Sequence, residues 1–84
     1  MIDLMFLHPR ESRVFEAEVG PATTALTCVQ NLIEQRFLET PPRGRPYSLQ
    51  VTRTQRQIPP ETTMREAGVR PGDSLAIHQM EQGA

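Results

Sequence analysis

Between Met64 and Ile77 the chain sets two glycines four residues apart, Gly68-Val69-Arg70-Pro71-Gly72, and follows them with an apolar pair in alternation, Leu75 and Ile77. Glycine at both positions permits a positive φ that a Cβ would disfavour, so the backbone can turn tightly twice within a few residues. Val69, held between the turns, plugs a core, and the alternation after it reads as a strand with one buried face. The domain therefore closes on a strand, at residue 79. Beyond it lies only a short tail, Met80-Glu81-Gln82-Gly83-Ala84, expected to be flexible.

The elements that precede this closing segment follow from hydrophobic period. Ile2, Leu4 and Phe6 alternate with Asp3, Met5 and Leu7, giving a first strand, and His8-Pro9-Arg10-Glu11-Ser12 supplies turn chemistry. Phe15, Ala17 and Val19 alternate with Val14, Glu16 and Glu18, so a second strand returns antiparallel and a hairpin opens the domain. Gly20-Pro21 ends that strand, and Thr23 or Thr24 is placed to cap a helix. Leu26, Val29, Ile33 and Phe37 recur at helical spacing as its apolar stripe, with Cys28 and Leu32 on the flank, so Cys28 is expected to be a half-buried packing residue and not a nucleophile.

Thr40-Pro41-Pro42-Arg43-Gly44-Arg45-Pro46 is a loop, because its three prolines remove backbone donors and fix φ. Tyr47, Leu49 and Val51 mark a third strand, Gln57-Ile58 a very short fourth before Pro59-Pro60, and Leu75 and Ile77 the last. One helix laid over a mixed sheet of four to five strands is an α+β arrangement, with residues 1–79 as the domain. The order is that of the β-grasp fold, in which first and last strands lie side by side in mid-sheet.

Composition bounds what such a domain does. Eighty-four residues make one domain, because a chain of this size buries only about 60–65% of its unfolded surface and supports a single core. With aromatics at 5% and no Trp, that core is aliphatic. No stretch approaches a membrane span and Met1-Ile2-Asp3 lacks a basic leader, so a cytoplasmic protein is expected. A single cysteine, Cys28, excludes an internal disulfide and a cysteine-based metal site. No cofactor or metal is expected.

The net charge of −1 hides a segregation: Arg36, Arg43, Arg45, Arg53 and Arg56 face only Glu39 in the middle of the chain. All nine basic residues are arginine. Arg-rich codon usage is the first explanation of that; the alternative is avoidance of lysine, which would leave only the α-amino group to accept another copy through an amide bond.

From Val51 onward the chain resembles ubiquitin without a gap: Val51, Ile58, Met64, Val69, Leu75 and Ile77 stand at its buried positions, and Met64-Arg-Glu-Ala-Gly-Val-Arg-Pro-Gly-Asp-Ser-Leu resembles the loop of ubiquitin-like domains generally. The N-terminal half matches less tightly, with a helix pattern about a turn longer and a different Pro-Pro-Arg-Gly loop. That loop resembles the small bacterial ubiquitin-like proteins encoded with type VII secretion systems, and those encoded beside bacterial activating and conjugating enzymes. The resemblance implies two functions. One is a conjugated modifier, activated at its C-terminal carboxylate; the other is a non-conjugated adaptor of a secretion system or other assembly.

Gly83 and Ala84 fall where the terminal Gly-Gly of ubiquitin falls, which fits the modifier. An activating enzyme must bring that carboxylate to the α-phosphate of ATP, which favours an extended chain with minimal side chains. Ala84 departs from the pattern by one methyl group, and a processing peptidase that removes it would expose Gly83. The implied partners are an activating enzyme, a conjugating enzyme and that peptidase, with self-association as a further possibility. Sulfur carriage through a C-terminal thiocarboxylate is a third use among relatives, which the Gly-Ala ending disfavours.

Ubiquitin's partners grip an apolar patch on the exposed sheet face, whereas the corresponding positions here, Ser48, Gln50, Thr52, Ala76 and His78, are largely polar. Met5 and Leu7 also point outward, and with Ala76 they form a small candidate docking site. Arg43, Arg45, Arg53 and Arg56 are candidates for docking an acidic partner. Nucleic acid is disfavoured, since the net charge is negative and only Tyr47 interleaves as an aromatic. The chain has no glycine-rich phosphate cradle and no nucleophile–base set, and Glu16 and Glu18 read as solvated carboxylates, so catalysis is expected to belong to a partner.

Overall fold

A computed structural model describes residues 1–79. Five strands form one mixed sheet: β1 (Ile2–Leu7), β2 (Val14–Val19), β3 (Tyr47–Val51), β4 (Arg56–Ile58) and β5 (Asp73–Gln79), in the spatial order β2-β1-β5-β3-β4. Helix α1 (Ala25–Glu34) covers one face, and α2 (Met64–Ala67) is a single turn leading to β5. β1 and β5 lie side by side at the centre and run parallel, Leu4 opposite Asp73 and Leu7 opposite Ala76. The other pairings are antiparallel.

Alternation assigns each strand its faces. Leu4, Phe6, Leu49, Val51, Ile58, Leu75 and Ile77 point toward α1 and are almost wholly excluded from solvent, with Met64 and Val69 closing the core from the α2 side. Gly68 (φ 74) ends α2, and Gly72 (φ 87) is the third residue of an Arg70–Asp73 turn with Pro71 at the second position. The Gly72 N–H donates to the Asp3 carbonyl at 2.7 Å, tying that turn to β1. Both glycines thus occupy the left-handed region that the closing segment requires.

The helix departs from expectation. Thr24 caps it, its hydroxyl accepting from the Thr27 N–H at 3.2 Å, but the buried stripe is Ala25, Cys28, Val29 and Leu32. Leu26 is 49% exposed and Ile33 only half-buried. Cys28, expected at the flank, is 3% exposed and belongs to the core. The helix also stops at Glu34 rather than reaching Phe37: Arg36 turns left-handed (φ 63), and the N–H groups of Phe37 and Leu38 both return to the Leu32 carbonyl. Phe37 is buried from this turn, not from the helix. Its ring lies 5.2 Å from His8 and 5.4 Å from Phe15, centroid to centroid. A stripe that counted Phe37 as helical was rotated toward the wrong face, since each residue adds about 100°.

At the other end of α1, two loops clip together. Ala25 and Leu26 donate to the Thr62 and Pro60 carbonyls, while Met64 and Arg65 donate to Thr23 and Pro21. These bonds satisfy the free donors at two helix starts at once.

Candidate functional site

The parallel pairing of β1 with β5 sets where the tail leaves the domain. β5 runs three residues past Ala76, the partner of Leu7, so its last residue Gln79 lies at the end of the sheet where the β1–β2 turn and the loop before β3 also lie. Gln79 pairs with Tyr47 in the ladder. Its side chain is held on both sides: the Arg10 guanidinium donates to Oε1 at 2.8 Å, and Nε2 donates to the Arg45 carbonyl at 3.3 Å. The root of the tail is therefore fixed by two loops. Gly83 and Ala84, the proposed conjugation residues, lie outside the described residues.

Around this root the chain gathers charge of one sign. Residues 8–13 and 36–46 contribute five arginines, Arg10, Arg13, Arg36, Arg43 and Arg45, against Glu11 and Glu39. Arg13 stacks over Phe37 at 5.2 Å and pairs with Glu11 at 3.5 Å. His8 Nδ1 accepts from the N–H groups of Arg10 and Glu11, each at 3.1 Å, which shapes the turn. A shallow pocket of about 170 Å³ between His8, Arg10, Arg36 and Tyr47 opens on this end. Arg10 and Gln79 escaped the sequence reading because their meeting spans the whole chain and depends on strand register.

The four arginines expected to act together do not share a site. Arg43 and Arg45 belong to the tail end, whereas Arg53 and Arg56 lie at the opposite end of β3. Arg53 forms a bidentate pair with Asp73, Nε to Oδ1 and Nη2 to Oδ2, both at 3.1 Å, and Nη2 also reaches the Gly68 carbonyl at 3.3 Å. Asp73 further accepts from the Arg70 N–H at 2.9 Å. The hydrogen bonds from Arg53 hold the Asp73 carboxyl below its ordinary range against the opposing effect of burial, with the Arg70 N–H adding to the same effect. Arg53 thus fastens the β3–β4 turn to the α2–β5 turn. Arg56 stands exposed on β4 opposite Val51.

Met5, Leu7, Ala76 and His78 do come together, on the sheet face away from α1. Register aligns Val14, Leu7, Ala76, Gln50 and Gln57 in one row across all five strands, with Met5 beside Glu16 and Ser74 in the next. Val14, 50% exposed, joins the apolar patch and was missed because β2's outward positions otherwise carry glutamates. His78 Nε2 lies 2.8 Å from Gln50 Oε1.

Burial pushes the Cys28 thiol up to about 11, so it is a packing group and a poor nucleophile. Among the described residues no group of three or more His, Cys, Asp or Glu side chains is placed to hold a metal ion, and no helix is long and apolar enough to cross a membrane.

No protein-family model and no curated protein sequence matches the chain. Solved structures do. A de novo design based on ubiquitin superimposes with a TM-score of 0.74 at 23% identity, covering 98% of this chain and 92% of that one. Ubiquitin from Caldiarchaeum subterraneum superimposes with a TM-score of 0.72 at 20% identity, covering 99% and 98% respectively. Near-complete coverage in both directions shows that this chain has the β-grasp fold of ubiquitin.

Proposed function

We propose that the chain is a bacterial-type ubiquitin-like modifier, cytoplasmic and without catalysis of its own, joined to targets or to another copy through its C-terminal carboxylate. The observation that carries this reading is the tail root: β5 ends at a Gln79 clasped by Arg10 and Arg45, and a five-residue segment containing Gly83 follows in the sequence. A fixed root followed by an extension in which Gly83 and Ala84 carry minimal side chains is what a partner enzyme needs to bring the carboxylate into a nucleotide site. In that site the carboxylate oxygen attacks the α-phosphorus of ATP and pyrophosphate leaves. A thiol or hydroxyl then attacks the acyl adenylate and AMP leaves.

Ala84 is either carried as the terminal residue or removed by hydrolysis of the Gly83–Ala84 bond, which makes Gly83 the acyl group. Arg43 and Arg45, with Arg10, suit an acidic docking surface on the activating enzyme, and a conjugating enzyme takes the acyl group onward. The alternative, a non-conjugated adaptor of a type VII secretion system or another assembly, draws on the outward-facing patch of exposed Val14 and half-buried Met5, Leu7 and Ala76, which needs no tail. Exchange of radiolabelled pyrophosphate into ATP by a candidate adenylating enzyme from the same genome separates the two. Exchange that requires this chain, and is lost when Met80 to Ala84 are deleted, supports the modifier; exchange independent of the tail rejects it.

A further inference from the structure

The sheet face away from α1 has an unusual charge. Asp3, Glu16 and Glu18 lie on it, exposed, and register sets Asp3 directly opposite Glu18. Like charges directly opposite across two strands are destabilising. No arginine lies among the outward strand positions, which otherwise carry Val14, Met5, Leu7, Ala76, His78 and neutral polar groups. Between the carboxylates the surface dips into an open groove of about 480 Å³ lined by Asp3, Met5, Glu16, Glu18 and Gly72. The face is thus apolar toward the Leu7 end of β1 and acidic toward its Ile2 end.

The complementary chemistry stands on the same chain. Pro42-Arg43-Gly44-Arg45 forms a closed turn: the Arg45 N–H donates to the Pro42 carbonyl at 3.1 Å, and Gly44 (φ 83) takes the third position that favours glycine. Pro42, Arg43 and Pro46 are exposed on it. This turn combines cations with proline rings already held in shape, so little ordering is required on binding. It lies at the tail end of the sheet, and the acidic groove lies toward the other.

We propose that the groove between Asp3, Glu16 and Glu18 receives the Pro42–Arg45 turn of a second copy, head to tail. One junction leaves a free groove on one copy and a free turn on the other, so the contact is heterologous and extends with concentration. Opposite charges at a solvent-exposed junction attract over distances set by ionic strength. The inference does not depend on the tail's chemistry.

Sedimentation velocity of the full chain over a concentration series tests it. In about 0.01 M salt, where the Debye length is about 30 Å, the weight-average mass rises with concentration; in about 1 M salt, where it is about 3 Å, the protein sediments as a monomer. The groove variant Glu16→Arg/Glu18→Arg and the turn variant Arg43→Glu/Arg45→Glu each remain monomeric at low salt, and mixing them restores association, because each then meets an oppositely charged surface. Far-UV circular dichroism confirms that both are folded, and Arg43→Glu alone replaces the turn variant should the half-buried Arg45 be needed for folding. A wild-type chain that stays monomeric at low salt, association indifferent to salt, or variants that still associate with themselves would each overturn the proposal.

Discussion

Substituting Gly72 by alanine isolates the backbone requirement of the closing segment. Its φ is 87°, and a Cβ built there meets no atom within 4 Å, so no clash contributes. What remains is the cost of holding an L-residue in the left-handed region, about 1–2 kcal/mol, offset by the about 0.4–1 kcal/mol that alanine gains through a less flexible unfolded chain. A net loss of about 1 kcal/mol is expected, and the same for Gly68→Ala, whose φ is 74° and whose Cβ also meets nothing. Urea denaturation followed by far-UV circular dichroism reads this directly: with a slope of about 1 kcal/mol/M, each midpoint falls by about 1 M. D-alanine at Gly72, installed by chemical synthesis, adds the same methyl but fits positive φ, and is expected to raise the midpoint. Equal effects from the L and D residues, or a neutral Gly72→Ala, would show that conformation at this turn is not what glycine supplies.

Three further outcomes follow. Thr63→Ala removes a capping box in which the Thr63 hydroxyl accepts from the Glu66 N–H at 3.1 Å and the Glu66 carboxylate accepts from the Thr63 N–H at 3.0 Å, and costs about 1 kcal/mol in the same denaturation assay. The Asp73 carboxyl is held below its unfolded value, so its stabilisation is full above that value, about pH 4, and is lost as pH falls through the lower folded value; midpoints measured from pH 7 downward decline more steeply for wild type than for Asp73→Asn. Cys28 reacts with iodoacetamide at neutral pH far more slowly in the folded protein than in denaturant, since burial both shields the thiol and raises it to about 11; equal rates would contradict its core position.

Local chemistry announced most of the fold. Period-two alternation marked β1, β2 and β3, and Gly68 and Gly72 marked the turns that set β5, because each depends on neighbours a few residues away. The helix was harder. Phe37 continued the 3.6-residue period by coincidence, while the Arg36 turn that ends α1 carries no glycine or proline to signal it. The site was legible only in part. Met5, Leu7, Ala76 and His78 share a face because alternation alone assigns faces, but grouping Arg53 with Arg43 required knowing that β3 separates them, and the Arg53–Asp73 pair joins residues 20 apart in sequence. The clasp on Gln79 arises from the parallel β1–β5 register, which no local pattern encodes.

The central claim, the proposed delivery of the tail to a partner enzyme, is tested most directly by intact mass spectrometry after incubation with ATP and a candidate adenylating enzyme from the same genome. The account predicts a covalent adduct of the chain through its C-terminal carboxylate, as adenylate, thioester, oxyester or amide, at Ala84 or, after processing, at Gly83, and none from a chain lacking Met80 to Ala84. An unmodified chain, with partner activity undiminished by that deletion, would contradict it.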